Sequence, residues 1–145
     1  MDDLIEGLNL SPLKRIPNKK GDILHAIKSS DNDYDGFGEA YFSIVNEGEI
    51  KGWKKHSMMH MNLIVPVGTV RFVIYDSRKE SKTYKIFNDI SIGIDNYTRL
   101  TVPPNLWFAF QGVESGLNLL MNIANIEHNP NESSTLELEE IAYSW

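Results

Sequence analysis

Cysteine is absent from this chain of 145 residues, which excludes disulfides, thiolate nucleophiles and cysteine-ligated zinc. Long apolar runs are missing as well. None approaches the ~20 residues that a helix needs to cross a bilayer, so no membrane partner is expected. There is no excess of positive charge: 14 Lys and Arg stand against 20 Asp and Glu, for a net charge of -6. The basic residues are scattered, and no nucleic-acid surface is expected. The opening "MDDLIEGLNL" is acidic and lacks the basic stretch of a secretory signal, which favours the cytoplasm. Glycine-rich phosphate loops, nucleophile elbows, internal repeats, low-complexity segments and linkers are all lacking.

What is present is apolar residues in short alternating runs. The hydrophobic fraction of 41% and three tryptophans describe a globular chain, and the length suits one domain over residues 1–145. "HMNLIVPVGTVRFVIYD" reads as strand, tight turn, strand: Asn62 to Val65, then Val70 to Tyr75, around Pro66–Gly68. "TYKIFNDISI", Arg99 to Val102, "LWFAFQGV" and "LNLLMNIANI" read as further strands, as do the shorter "GDILHAI" and "EAYFSIV". "NEGEIKGW" is expected to turn as a hairpin. Helix is expected only as a turn near Ser11–Lys14 and in "SSTLELEEIAYSW", where Ser134 stands three residues before Glu137; the Leu136, Leu138 alternation there fits an extended tail equally. Roughly ten short strands with turns between them make an all-β sandwich or barrel, a small jelly roll.

The densest chemistry lies in "GWKKHSMMHMN", Gly52 to Asn62. At strand spacing Lys54, His56, Met58, His60 and Asn62 share one face. The two histidines would then be ~13 Å apart, too far to hold one ion with ligand bonds near ~2.1 Å. Neither the H-E-x-x-H pattern nor a carboxylate before Pro66 is present, so no metal is expected. Proton transfer suits these residues better: histidine exchanges protons near neutral pH, and a lysine holds a developing oxyanion or, if burial lowers its pKa, acts as base. A solvated polar strand face fits the same residues. Elsewhere "DSRKESKT" is expected to be a solvated hairpin tip. Trp107 packs in a core or stacks on a base or sugar. Asn118, Asn122, Asn125 and Asn129 contact backbone or substrate hydroxyls.

Four segments in order resemble the dTDP-4-dehydrorhamnose 3,5-epimerase family. "PLKRIPNKKGDI" is similar to its N-terminal stretch, and "GEIKGWKKH" to G-x-I/L-R-G-L-H. "NLIVPVGTVRFVIYDSRKESKTY" is similar to the strand pair that leads into D-x-R-x-x-S-x-T-aromatic. "ISIGIDNYTRLTVPPNLWFAF" is similar to the segment ending A-H-G-F. The resemblance spans roughly Pro12 to Pro130. It implies a cupin-like double-stranded β-helix, a homodimer exchanging strands, no metal or other cofactor, and a nucleotide-linked 4-keto-6-deoxy sugar as substrate. A base removes the proton alpha to the ketone, the enolate is held, and a proton returns from the other face. The diphosphate-binding basic positions fall on Lys20 and Lys51. The family's histidine base falls on Lys54, with His56 two residues on. Its downstream lysine becomes Asn62, its second histidine Phe108, and its tyrosine acid falls near Met121.

The chain thus resembles a divergent member that lacks the usual acid and base. The expectation is a nucleotide-sugar epimerase or isomerase of surface-polysaccharide biosynthesis. Lys54, His56 and His60 are its catalytic candidates, and Lys20, Lys51, Asn62, Arg71, Trp107 and Asn122 its substrate contacts. The alternatives are a sugar-nucleotide or glycan binding module without turnover, and a structural partner whose pocket is filled by Trp107, Phe108 and Met121.

Overall fold

The computed structural model describes residues 3–145; the first two residues of the acidic N-terminus lie outside the described residues. Within that span the chain is an all-β jelly roll of two facing five-stranded antiparallel sheets. One sheet holds, in spatial order, β1 (Asn9–Pro12), β9 (Thr98–Val102), β6 (Met61–Val67), β11 (Leu119–Ala124) and β4 (Glu39–Ile44). The other holds β12 (Ser133–Thr135), β5 (Ile50–His56), β10 (Trp107–Gly112), β7 (Thr69–Tyr75) and β8 (Phe87–Gly93). A two-stranded ribbon, β2 (Arg15–Ile16) with β3 (Ile23–Leu24), stands apart.

The strands fall close to where alternation predicts them, but the turns do other work. Strands β6 and β7 do not pair with each other; the chain passes at Gly68 from one sheet to the facing one. Gly68 sits at φ +77°, and a Cβ there would lie 2.3 Å from the Leu117 carbonyl oxygen, so this corner requires glycine. "NEGEIKGW" likewise links β4 to β5 across the sandwich and is not a hairpin. Consecutive strands that change sheets are what distinguish a jelly roll from a meander.

Alternation then fills the space between the sheets. Leu63, Val65, Phe72, Ile74, Ile92, Leu100 and Leu120 form the buried core there. A second cluster lies on the outer side of the β5–β10–β7 sheet, where Trp53, Val73, Trp107 and Ala109 are covered by Leu136, Leu138, Ile141, Tyr143 and Trp145. That explains the C-terminus, which is not an α-helix. It forms β12, a 3₁₀ turn at Leu138–Glu140 and an extended tail. Its start is fixed by Leu136 N–H donating to Trp53 O at 3.0 Å and by Trp53 Nε1 donating to Leu138 O at 3.1 Å. The capping pair is Glu137 with Glu140 rather than Ser134 with Glu137. The expected helical turn at Ser11–Lys14 is also corrected: Ser11 and Pro12 belong to β1, paired with Arg99 and Thr98.

Candidate functional site

A cavity of about 320 Å³ opens between the sheets, within the usual range for a ligand pocket. The β5 side supplies Lys51, Gly52, Lys54, Phe108, Phe110 and, from β12, Thr135; the facing sheet supplies Tyr41, Ser43, Met61, Leu63, Leu120 and Asn122.

Lys51 and Lys54 are three residues apart, and strict alternation would aim them at opposite sides. A β-bulge removes the conflict. Phe108 pairs with Lys54 and Phe110 with Lys51, so β5 fits one extra residue opposite Ala109. Trp53 is thereby turned outward to the tail while both lysines face the cavity. Lys51 Nζ donates to Ser43 Oγ at 2.9 Å and lies 6.0 Å from the Phe110 ring centroid. Among the described residues neither lysine forms an ion pair with a carboxylate. Two uncompensated ammonium groups in a partly apolar cleft make a place for an anion.

One strand repeat beyond Lys54, His56 ends β5. Its ring is buried and stacked on Phe108 with centroids 5.9 Å apart, and it is not among the residues that line the cavity. Its Nδ1 is hydrogen-bonded to Glu132 Oε1. The other carboxylate oxygen accepts from the N–H groups of Met58 at 3.1 Å and Met59 at 3.2 Å. Burial pushes the Glu132 carboxyl up, but the hydrogen bonds from His56 and these two N–H groups outweigh it and hold the group below its ordinary value. A carboxylate on Nδ1 requires the proton at that nitrogen, so Nε2 is left as the basic one in a neutral ring. Glu132 also ends the strand, because the chain folds around its carboxylate over residues 57–60.

That interruption corrects the expected five-residue face. Met58 is exposed and Met59 buried, and β6 restarts with the opposite phase. Asn62 therefore points away from the cavity, where it accepts from Arg99 Nε at 3.1 Å and Thr101 Oγ1 at 2.6 Å and donates to Asp33 O at 3.1 Å. His60 lies in the connection, its N–H bonded to Asn125 Oδ1 at 2.8 Å, and lines no described cavity. Lys54 and His56 are brought to one face, but His60 is not.

The other expected contacts also divide. Lys51 and Asn122 line the cavity. Lys20 sits in the turn of the β2–β3 ribbon. Arg71 faces outward on β7, bound to Asp89 at 2.6 Å and 5.3 Å from the Trp145 centroid. Trp107 lies under the tail with Lys55 Nζ 4.9 Å from its ring centroid. Neither Trp107 nor Met121 fills the pocket; Phe108 does form part of its wall. Tyr41, Ser43, Thr135 and Glu132 were not among the sequence candidates. The alternation of "EAYFSIV" already put Tyr41 and Ser43 on one face, but which face met the cavity required the sheet.

A larger cavity, about 420 Å³, lies under residues 25–33 beside β1. Its arginine is spent on the acids and backbone of the loop that covers it. Arg99 Nη1 meets Ala26 O at 2.8 Å and Asp31 Oδ2 at 3.4 Å, and Nη2 lies 3.6 Å from Asp33. Arg99 thus anchors a loop, whereas the smaller cavity brings together two of the candidate lysines, Lys51 and Lys54.

No family model matches the chain. A dTDP sugar isomerase of Desulfovibrio desulfuricans G20 is 35% identical, over 99% of this chain and 95% of that one, with a TM-score of 0.94. The dTDP-4-dehydrorhamnose 3,5-epimerase of Sulfolobus tokodaii superposes at a TM-score of 0.84 and 21% identity, over 98% of this chain and 84% of that one. The spore coat polysaccharide biosynthesis protein SpsL of Bacillus subtilis is 22% identical over 98% of this chain and 97% of its own length.

Proposed function

Because the chain belongs to the dTDP-4-dehydrorhamnose 3,5-epimerase-like family of dTDP-sugar isomerases, we propose that it epimerises or isomerises a nucleotide-linked 4-keto-6-deoxy sugar for polysaccharide synthesis. The observation that carries this reading is the His56–Glu132 pair, set one strand repeat beyond Lys54, with the His56 ring stacked on Phe108 of the cavity wall. The cavity has room for a sugar ring, and the nucleotide lies across its mouth, with Lys51 on the diphosphate.

In this reading His56 Nε2 takes the proton from the carbon alpha to the ketone. The C–H electron pair becomes the enolate double bond, and the carbonyl π pair moves onto oxygen. Lys54, whose ammonium pairs with no carboxylate among the described residues, holds that oxyanion. No redox step is involved, and no cofactor is called for. Lys20, Arg71, Asn62, Trp107 and His60 drop out of the proposed machinery on their placement within one chain.

The test is hydrogen exchange. In D2O with a dTDP-4-keto-6-deoxyhexose, NMR is expected to show deuterium entering at C3 or C5. Tight binding with no exchange at either carbon would refute the enzyme and leave a binding module.

The same reading includes a homodimer acting in the cytoplasm, where a nucleotide-linked substrate would place it. The support is β4, an edge strand whose outward face leaves Phe42 63% and Ile44 55% exposed, an apolar strip that favours association. Light scattering is expected to give twice the chain mass, and Phe42→Lys to halve it. A wild-type chain that runs as a monomer would dismiss the dimer.

A further inference from the structure

Inversion of a carbon needs a proton donor on the face opposite the base, and the cavity has one group built for it. The resemblance put an acid near Met121. However, Leu120 and Asn122 line the cavity, so the residue between them points to the outer side, where it pairs with exposed Phe42. The place left by that acid is met from the neighbouring strand. Tyr41 on β4 is the direct register partner of Asn122 on β11, and both face the cavity.

Three observations single out this phenol. First, Asn122 Nδ2 donates to the Tyr41 hydroxyl oxygen at 3.2 Å. The oxygen acts there as acceptor, so its own proton is directed elsewhere, and among the described residues no protein acceptor takes it. Second, the amide that supports it is only 2% exposed, and among the described residues its Oδ1 has no hydrogen-bond partner. A buried amide oxygen without a donor is costly, and a sugar hydroxyl in the cavity supplies one. Third, Tyr41 is 45% exposed, so it reaches solvent, from which a spent acid is recharged. Of the other polar groups on that sheet's wall, Ser43 is engaged by Lys51 and Asn122 has no proton to give at neutral pH.

We propose that Tyr41 is the general acid that returns the proton to the sugar carbon, from the sheet opposite His56. This rests on the epimerase reading above. The sugar ring lies between the two sheets, with His56 on one and Tyr41 on the other. After His56 has removed the proton, the enolate collapses: its C=C pair takes the Tyr41 proton, the new C–H bond forms on the opposite face, and C=O is restored. The phenolate left behind is held by the Asn122 N–H until water reprotonates it, and the imidazolium gives its proton to solvent. Asn122 is the positioning residue.

The experiment separates exchange from inversion. Tyr41→Phe keeps the ring and its packing and removes only the hydroxyl. In D2O with the dTDP-4-keto sugar, this variant is expected to retain exchange of the alpha proton, since His56 can return a deuteron to the face it came from. Net inversion is expected to fall by about 100-fold or more. Inversion at the wild-type rate would overturn the assignment. So would a parallel loss of exchange and inversion with dTDP binding intact, because Tyr41 would then act at or before proton removal. If the wild-type protein itself shows no exchange, the epimerase reading fails first, and the Tyr41 proposal with it. Asn122→Ala, with Tyr41 in place, is expected to lower inversion more than exchange; an equal fall in both would also count against the pair.

Discussion

His56→Asn is expected to slow alpha-proton exchange by about 10²–10⁴-fold, the range supplied by a positioned general base, while affinity for dTDP stays unchanged. Asparagine keeps a polar group that can reach Glu132, so the variant does not leave that buried carboxylate without a donor. What it lacks is a second nitrogen able to take a proton. The carboxylate is suited to its part. Although burial raises its pKa, the bonds from His56, Met58 and Met59 hold Glu132 below its ordinary value. It therefore stays ionised through the neutral range and keeps the proton of a neutral ring on Nδ1. Because the folded-state value is the lower one, the stability this group contributes is complete above the ordinary carboxylate range and is lost as pH falls below it. Exchange at the full rate in His56→Asn, with none in Lys54→Ala, would move the base to Lys54.

The strands were legible because each is a short run rich in β-branched and aromatic residues: "FVIY", "LTV" and "WFAF" all fall in strands. Which sheet each strand joins was not. Turn chemistry is the same for a hairpin and for a corner between sheets, and Gly68 makes a corner. Lys54 and His56 were readable as one face because β5 runs unbroken through both. The face did not extend to His60 and Asn62, because residues 57–60 wrap a carboxylate that lies 76 residues from His56 in sequence. No local pattern carries that contact. The bulge that turns Lys51 into the cavity is equally hidden, since a period-two reading assigns it to the other side. Tyr41 shows the remaining limit. A tyrosine in a short strand reads as packing until its partner across the sheet is known, and here that partner is an asparagine whose oxygen is unpaired among the described residues.

"DSRKESKT" reads as a solvated tip, and the first of its two acids is instead fully buried: Asp76 has 0% exposure. Its Oδ1 accepts from Arg78 Nε at 2.8 Å and Arg78 N at 3.0 Å. Its Oδ2 accepts from Arg78 Nη2 at 2.9 Å, Ser81 at 2.6 Å and Thr83 at 2.7 Å. Arg78 and Thr83 reach on to the backbone of Glu6, at 2.6 and 2.9 Å, so one carboxylate fastens the N-terminal segment to the loop between β7 and β8. Asp76→Ala strands an arginine and two hydroxyls at once. The expected loss is about 3–5 kcal/mol, as for a broken buried pair, and toward the lower end because Arg78 keeps some access to water. In a domain of this size that lowers the melting temperature by about 10 °C. Burial raises the Asp76 carboxyl, but the bonds from Arg78, Ser81 and Thr83 outweigh it and hold the group far below the ordinary aspartate value. Its contribution is therefore complete above about pH 4 and drains away as pH falls further, where the unfolded chain binds the proton first. Denaturant melts at successive pH values should show the wild-type protein losing stability steeply below that point and Asp76→Ala losing less. None of these groups lines the cavity, so exchange per folded molecule should be the same in both proteins. An unchanged melting temperature, or an acid limb of equal slope in the two, would mean that the clasp does not hold the fold.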